Sequence, residues 1–267
     1  MRNADELASA VRAAAPTSVI HLAALSSVGG SWESPAETWE VNVIGTVNVV
    51  DALRSATPGA RLLFVSTGEV YGRAEVLPTP ETATPAPLSP YAASKVGAEA
   101  VCEQVARATG LDVVVVRAFQ HEGPGRDERF AIGSWTRQIA ELEHRGGGEL
   151  LVGDLSAERD ISDVRDVCRA YRLLLEPEVP PGTYNVASGR KVSLREVVDL
   201  LVESARAPIE VVVDESRLRP NDLPVVWGDA RKLEAATGWR AEIPLRQTLE
   251  DALTYARGAV SDTALSP

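Results

Sequence analysis

Tyr91 and Lys95 stand four residues apart in the run Ser89-Pro-Tyr-Ala-Ala-Ser-Lys95. On a helix that spacing places both side chains on one face, about one turn apart. An ammonium beside a phenol favours the phenolate and draws its pKa down from about 10 toward working pH. The pair then becomes an acid/base for interconverting an alcohol and a ketone, with Tyr91 moving the proton. A bare Tyr-x-x-x-Lys is common, and read alone it is a solvated helix face. A second group changes the balance. Leu62-Leu-Phe-Val-Ser-Thr67 ends an apolar run with two hydroxyls, and open parallel sheets bind ligands beyond the carboxyl ends of their strands. Ser66 and Thr67 alone would cap a turn; with Tyr91 nearby they are candidates to hold a reacting oxygen.

The elements that must position these groups follow from the pattern of the chain. Strand-like and helix-like segments alternate, which predicts an α/β fold with a Rossmann-type parallel sheet and crossover helices. A helix is expected over 3–14, before Pro16, and a strand over 18–23. A long helix is expected over 35–55, closed by Pro58-Gly59, and a strand apolar on both faces over 62–66, as in a central parallel strand. A Pro/Thr-rich loop spans 79–87. Ser89 as N-cap and Pro90 in the first turn start a helix that Gly110 ends, and a third parallel strand covers 113–117. Gln120 to Arg129 reads as a polar loop, followed by a helix to about His144. Beyond 149 the strands are short and punctuated by proline. Residues 1–118 are therefore expected to form a dinucleotide-fold lobe that lacks its N-terminal part. Residues 119–260 are expected to form a smaller mixed α/β lobe, mainly substrate-binding, and 261–267 a frayed tail.

Composition excludes several classes. The formal net charge of −11 argues against a nucleic-acid or anionic-membrane surface. It leaves room for a phosphorylated small molecule held by a few local arginines. No apolar run is long enough to cross a bilayer, and no signal pattern opens the chain, so a cytoplasmic protein is expected. Cys102 and Cys168 sit in helical patterns without metal-ligand spacing and read as reduced core residues; no metal is expected.

His21-Leu-Ala-Ala24, Asn42-Val-Ile-Gly-Thr46, Val65-Ser-Thr-Gly-Glu-Val-Tyr-Gly72, Tyr91-x-x-x-Lys95 and Arg117-Ala-Phe-Gln-His-Glu-Gly-Pro-Gly125 occur in an order that resembles the extended short-chain dehydrogenases, the nucleotide-sugar epimerases, dehydratases and reductases. Arg159-Asp-Ile-Ser-Asp-Val-Arg-Asp166 and Arg219-Pro-Asn-Asp-Leu-Pro224 extend the likeness over almost the whole chain. The resemblance implies that Thr67 bonds the reacting sugar oxygen, that Tyr91 is the acid/base, and that Lys95 is its partner and reaches the nicotinamide ribose. It makes Asn42 a support of the proton network and Glu69 a further acid/base. It places Ala23, Ala24, Ser66 and Phe119 with Tyr91 and Lys95 at the cofactor, NADP or NAD. Ser26, Thr67, Gln120, Arg159, Arg219 and Asp222 fall to a nucleotide-diphosphate sugar, the two arginines gripping the diphosphate. Relatives commonly dimerise through two helices, here 35–55 and 89–109, so a homodimer is expected.

Phe119-x-His-x-Gly-Pro-Gly125, the late Arg-Pro-x-Asp-x-Pro and Trp227-Gly-Asp229 look most like the GDP-4-keto-6-deoxymannose reductases, with the GDP-mannose 4,6-dehydratases close by. The implied reaction is reduction of a C4 ketone; a 4,6-dehydratase or 4-epimerase is the alternative. Glu69 matches the dehydratase glutamate, but Gly68 stands where dTDP-sugar dehydratases carry an aspartate. Gln120 stands where relatives usually carry an asparagine that contacts the diphosphate. The family's opening strand and Gly-x-x-Gly-x-x-Gly turn, which hold the cofactor pyrophosphate, are missing from these residues, roughly the first sixty of the family pattern. Gly29-Gly30 does not replace them. Met1-Arg-Asn3 resembles the end of the family's Asp-Val-Arg-Asn, which suggests a longer natural chain whose internal valine codon was read as a start. For the 267 residues alone the expectation is weak cofactor binding and an exposed edge at strand 18–23. Two other readings follow: a non-catalytic remnant that binds a nucleotide sugar or a partner, and an enzyme whose acid/base set serves non-redox chemistry.

Overall fold

The computed structural model describes residues 1–218 and 223–264. The chain divides into two compact units. The first holds 1–119, 168–186 and 228–239; the second holds 120–167, 187–227 and 240–267. The lobe boundary expected at 118/119 leaves two segments, 168–186 and 228–239, on the other side from where the structure puts them. They return because each adds to the first sheet or its loops.

That sheet is four-stranded and wholly parallel, in the order β1 (Ser18–His21), β2 (Arg61–Thr67), β3 (Val113–Ala118), β7 (Gly182–Val186). Strands β2 and β3 have neighbours on both sides and are buried almost throughout, with unbroken apolar runs at 62–65 and 113–116, as central parallel strands should be. Strand β1 has one neighbour, β2, and its burial alternates: Ile20 is 40% exposed and only His21 is buried. Helices α1 (Ala4–Ala14), α4 (Gly45–Ala56) and α5 (Pro90–Thr109) accompany the sheet. Val50 and Leu53 of α4 and Ala98 and Cys102 of α5 pack with Leu62, Phe64, Val113 and Val115 into one core.

The helix expected over 35–55 is broken. Helix α2 (Val28–Glu33) and helix α3 (Pro35–Trp39) lead into a π-helical turn, Glu40–Ile44, before α4 continues. Such turns insert one residue into an α-helix and often mark functional sites; here the inserted turn carries Asn42. Cys102 is buried as expected, but Cys168 is exposed, because it falls on the outer face of α7 (Val164–Leu174).

In the second unit, β4 (Gln120–Glu122) pairs in parallel with β6 (Glu158–Asp163), which also pairs with β10 (Val225–Val226) and, antiparallel, with β8 (Lys191–Ser193). Strand β4 replaces the start of the expected 120–129 loop. Strands β5 (Gly148–Val152) and β9 (Ile209–Val213) form a separate parallel pair. Ile132, Trp135 and Ile139 of α6 (Ala131–Arg145), Val197 and Leu201 of α8 (Leu194–Glu203) and Leu249 and Leu253 of α10 (Leu245–Ala264) pack with Leu150 and Val152 as the core. Helix α10 runs on through most of the stretch expected as a tail, to Ala264. Helix α9 (Arg231–Thr237) belongs to the first unit.

Candidate active site

The carboxyl end of β2 and the first turns of α5 carry the candidate reacting groups. Ser89 Oγ accepts the Ala92 N–H at 3.1 Å and Pro90 supplies the fixed φ of the first turn, so α5 begins one residue before Tyr91. Tyr91 is buried, at 8% exposure. One turn on, Lys95 Nζ donates to the carbonyl of Val65 in β2 at 2.7 Å and lies 4.9 Å from the Phe64 ring centre. Burial of the ammonium pulls the Lys95 pKa down to about 8, since a charge is costly away from water. Thr67 ends β2 and caps a short 3₁₀ turn, Gly68–Tyr71, its oxygen accepting the Glu69 N–H at 3.2 Å. With that lone pair used, its hydroxyl proton is the group left for a ligand oxygen. Gly72, at φ +57°, closes the turn; a Cβ there would lie 2.0 Å from the Ala86 carbonyl oxygen.

Asn42 ties three segments together. Its Oδ1 accepts the Leu25 N–H at 2.8 Å, and its Nδ2 donates to the Leu25 carbonyl at 3.0 Å and to Ser94 Oγ at 2.9 Å. The Ser94 hydroxyl in turn donates to the Tyr91 carbonyl at 2.7 Å. The π-helical turn thus clamps the stretch after β1 and the catalytic end of α5. That stretch holds Ala23 and Ser26, both exposed, and Ala24, half-buried. Below it, the Thr46 hydroxyl donates to the Asn42 carbonyl at 2.6 Å, so its oxygen accepts from His21 Nε2 at 3.1 Å. Burial holds the His21 pKa down near 4, keeping the ring neutral.

Ser66 reaches the strand end, but its hydroxyl donates to the Glu99 carboxylate. Glu99 also receives Arg117 Nη2 at 2.7 Å, both side chains buried. Ser66 therefore sits behind the site in an ion-pair network. Sequence reasoning passed over Ser94, Glu99 and Arg117. Glu99 was findable, because it follows Lys95 by four residues on the same helix face. Glu69 is half-buried in the 3₁₀ turn. Phe119, 3% exposed, lies stacked 6.3 Å from the Tyr71 ring and against Gly68, where a Cβ would come within 3.0–3.1 Å of its ring carbons. A side chain at 68 would therefore be crowded by the Phe119 ring, which would have to shift by a few tenths of an ångström.

In the second unit, Gln120 and Glu122 share one face of β4, and Gln120 registers with Ile161, two positions beyond Arg159 on β6. Arg159 is 8% exposed, and its Nη1 donates to the carbonyls of Leu223 at 2.7 Å and Glu158 at 2.9 Å. Those bonds hold the guanidinium against the backbone of Glu158 and Leu223. Arg219 and Asp222 lie outside the described residues.

Thr67, Tyr91 and Lys95 bring a hydroxyl, a phenol and a buried cation to the end of a parallel strand, a set suited to an alcohol–ketone pair reacting beside a nicotinamide. Its pyrophosphate requires a glycine turn at a helix N-terminus. The helix that follows β1, α2, carries Gly29 and Gly30 but is only six residues long, and Ser27 Oγ already accepts the Gly30 N–H there at 3.0 Å. The residues present fit the nicotinamide end of the cofactor and not its pyrophosphate.

A parallel sheet carrying a Tyr-x-x-x-Lys helix and a hydroxyl at the end of its central strand defines the catalytic unit of a short-chain dehydrogenase/reductase. A family model described as GDP-mannose 4,6 dehydratase matches residues 1–252, and the chain belongs to that family. It is 38% identical over 242 residues to a GDP-6-deoxy-D-mannose reductase from Pseudomonas aeruginosa, spanning 90% of this chain and 80% of that protein. The solved structure of RMD from Pseudomonas aeruginosa, complexed with NADPH, superposes with a TM-score of 0.90 at 37% identity, covering 97% of this chain and 86% of that one. A UDP-glucose 4-epimerase from Thermotoga maritima, solved with UDP-glucose, gives a TM-score of 0.88 at 29% identity, covering 97% and 83%.

Proposed function

We propose that the protein reduces the C4 ketone of a GDP-4-keto-6-deoxy-hexose at the expense of NADPH or NADH. The observation that carries this reading is the buried Tyr91–Lys95 turn, anchored on Val65 of β2, in a chain 38% identical to a GDP-6-deoxy-D-mannose reductase. A nicotinamide supplies hydride chemistry when bound. This chain's residues supply the rest. Thr67 donates its hydroxyl proton to the ketone oxygen, its own oxygen being held by the Glu69 N–H. Tyr91 delivers the proton that the new alcohol needs, and the Lys95 charge makes that phenol a proton carrier near neutral pH. Asn42, through Ser94, fixes the turn on which Tyr91 stands. Arg159 and Gln120 take part in holding the nucleotide sugar.

A 4,6-dehydratase is the second reading, favoured by Glu69 beside Thr67 and by the family match, though Gly68 lacks the aspartate that dTDP-sugar dehydratases carry there; a 4-epimerase and a non-catalytic nucleotide-sugar binder follow it. The exposed Trp39 and Ile44 support a homodimer through the 35–55 and 89–109 helices. Among the described residues no helix is long and apolar enough to cross a membrane; with the acidic net charge this supports a cytoplasmic enzyme without a nucleic-acid partner.

Tyr91→Phe tests the assignment. With GDP-4-keto-6-deoxymannose and NADPH, kcat is expected to fall by roughly 10²–10⁴, the usual worth of a general acid. Binding of GDP-mannose should be unchanged. Turnover equal to wild type in this variant overturns the catalytic reading, and an inert wild type that still binds the sugar nucleotide leaves the binder.

A further inference from the structure

Glu122 is buried, with none of its side chain exposed, and the mechanism above does not use it. Its Oε1 accepts Gln120 Nε2 at 3.0 Å. Its Oε2 makes no hydrogen bond; the Nε of Arg126, four residues on, stands 3.5 Å away as a charge partner, its guanidinium 3.7 Å over the Phe130 ring. Residues 120 and 122 alternate onto the same face of β4, and Gln120 is half-buried.

An ionised carboxylate can only accept hydrogen bonds. It therefore dictates which end of the Gln120 amide turns toward it: the NH₂ end. The carbonyl oxygen is then directed away from Glu122. A phosphate oxygen facing that carbonyl would meet lone pairs, with a buried negative charge behind them, whereas a hydroxyl would find an acceptor. The asparagine usual at this position is one methylene shorter and would reach less far toward Glu122. We propose that Glu122 is a positioning residue that turns the Gln120 amide, and that Gln120 consequently reads a hydrogen-bond donor, a hydroxyl of the sugar, rather than the diphosphate. The inference rests on the reading of Gln120 as a nucleotide-sugar contact.

The test compares GDP-mannose with GDP by titration calorimetry on the whole chain, for wild type, Gln120→Leu, Glu122→Gln and the double variant. Glutamine at 122 keeps the shape but can donate as well as accept, so the Gln120 amide is free to turn. Each single variant should weaken GDP-mannose about five- to tenfold, the worth of one neutral hydrogen bond, and leave GDP within about twofold. The double variant should be no worse than the singles, because the two residues act through one contact. Equal weakening of GDP and GDP-mannose would mean that Gln120 reads the diphosphate and would overturn the proposal, as would unchanged binding of both. A wild type that binds neither compound removes the nucleotide-sugar reading and the proposal with it. Should Glu122→Gln fail to fold, Gln120→Leu alone still separates the two ligands.

Discussion

Glu99 lies one turn beyond Lys95 on α5 and joins three elements, receiving the Ser66 hydroxyl from β2 and the Arg117 guanidinium from β3. Arg117 also lies 4.8 Å over the Tyr71 ring, whose hydroxyl donates to Asn185 Oδ1 of β7 at 2.7 Å. The candidate reacting residues thus adjoin a buried polar network that ties strands and helix together. Removing one partner of a buried ion pair strands the other, at a cost of about 3–5 kcal/mol. Glu99→Ala should therefore lower the thermal midpoint by roughly 10 °C in a chain of this size, whereas Tyr91→Phe should leave it nearly unmoved. Calorimetric melting of the two variants checks this; a Glu99→Ala protein melting with wild type would show the network to be dispensable. At this scale Tyr91, Lys95 and Thr67 were legible because each carries a reactive group at a telling spacing. The bond from the Ser66 hydroxyl to Glu99 was not legible, because a hydroxyl at a strand end looks the same whether it faces ligand or core.

The junctions between elements, more than the elements themselves, set the site. Helix α5 could be read from Ser89, Pro90 and Gly110, and β2 from its unbroken apolar run. The π-helical turn at Glu40–Ile44 could not, because one inserted residue barely disturbs a helical pattern; it became visible only through what Asn42 holds. The β2-to-3₁₀ junction carries a steric rule that sequence alone also hides. Any side chain at 68 meets Phe119, which the step from β3 to β4 places against it. Gly68→Asp, the dehydratase-like change, is expected to cost about 1–3 kcal/mol by overpacking. The same change in a Phe119→Ala background should cost less, and the difference in a double-mutant cycle by chemical denaturation measures the contact. Equal costs in both backgrounds would mean that Phe119 does not crowd residue 68.

Over the whole molecule, alternation of strands and helices was enough to predict the parallel sheet, but not that the chain would return to it. Strand β7 follows short, proline-punctuated segments and pairs with β3 at a separation no local pattern encodes, so 168–186 and 228–239 read as the second lobe. The edge at β1 was legible, since the family's neighbouring strand and its glycine turn do not occur in these residues, and the exposure of Ile20 and Leu22 agrees with a strand paired on one side only. The consequence is thermodynamic. Thr67, Tyr91 and Lys95 are the groups proposed for the nicotinamide end of the cofactor, whereas α2, the helix after β1, is short and already capped by Ser27, which leaves it poorly suited to the pyrophosphate. Hydrogen bonds to a charged group are worth about 1.5–3 kcal/mol each, so forgoing two of them weakens binding on the order of 10²- to 10⁴-fold. A polypeptide of these 267 residues, titrated with NADPH and followed by nicotinamide fluorescence, should not saturate at tens of micromolar, and adding GDP-mannose should not rescue it. Tight, saturable binding would mean that other groups hold the pyrophosphate, and the exposed edge of β1 is where they would have to be sought.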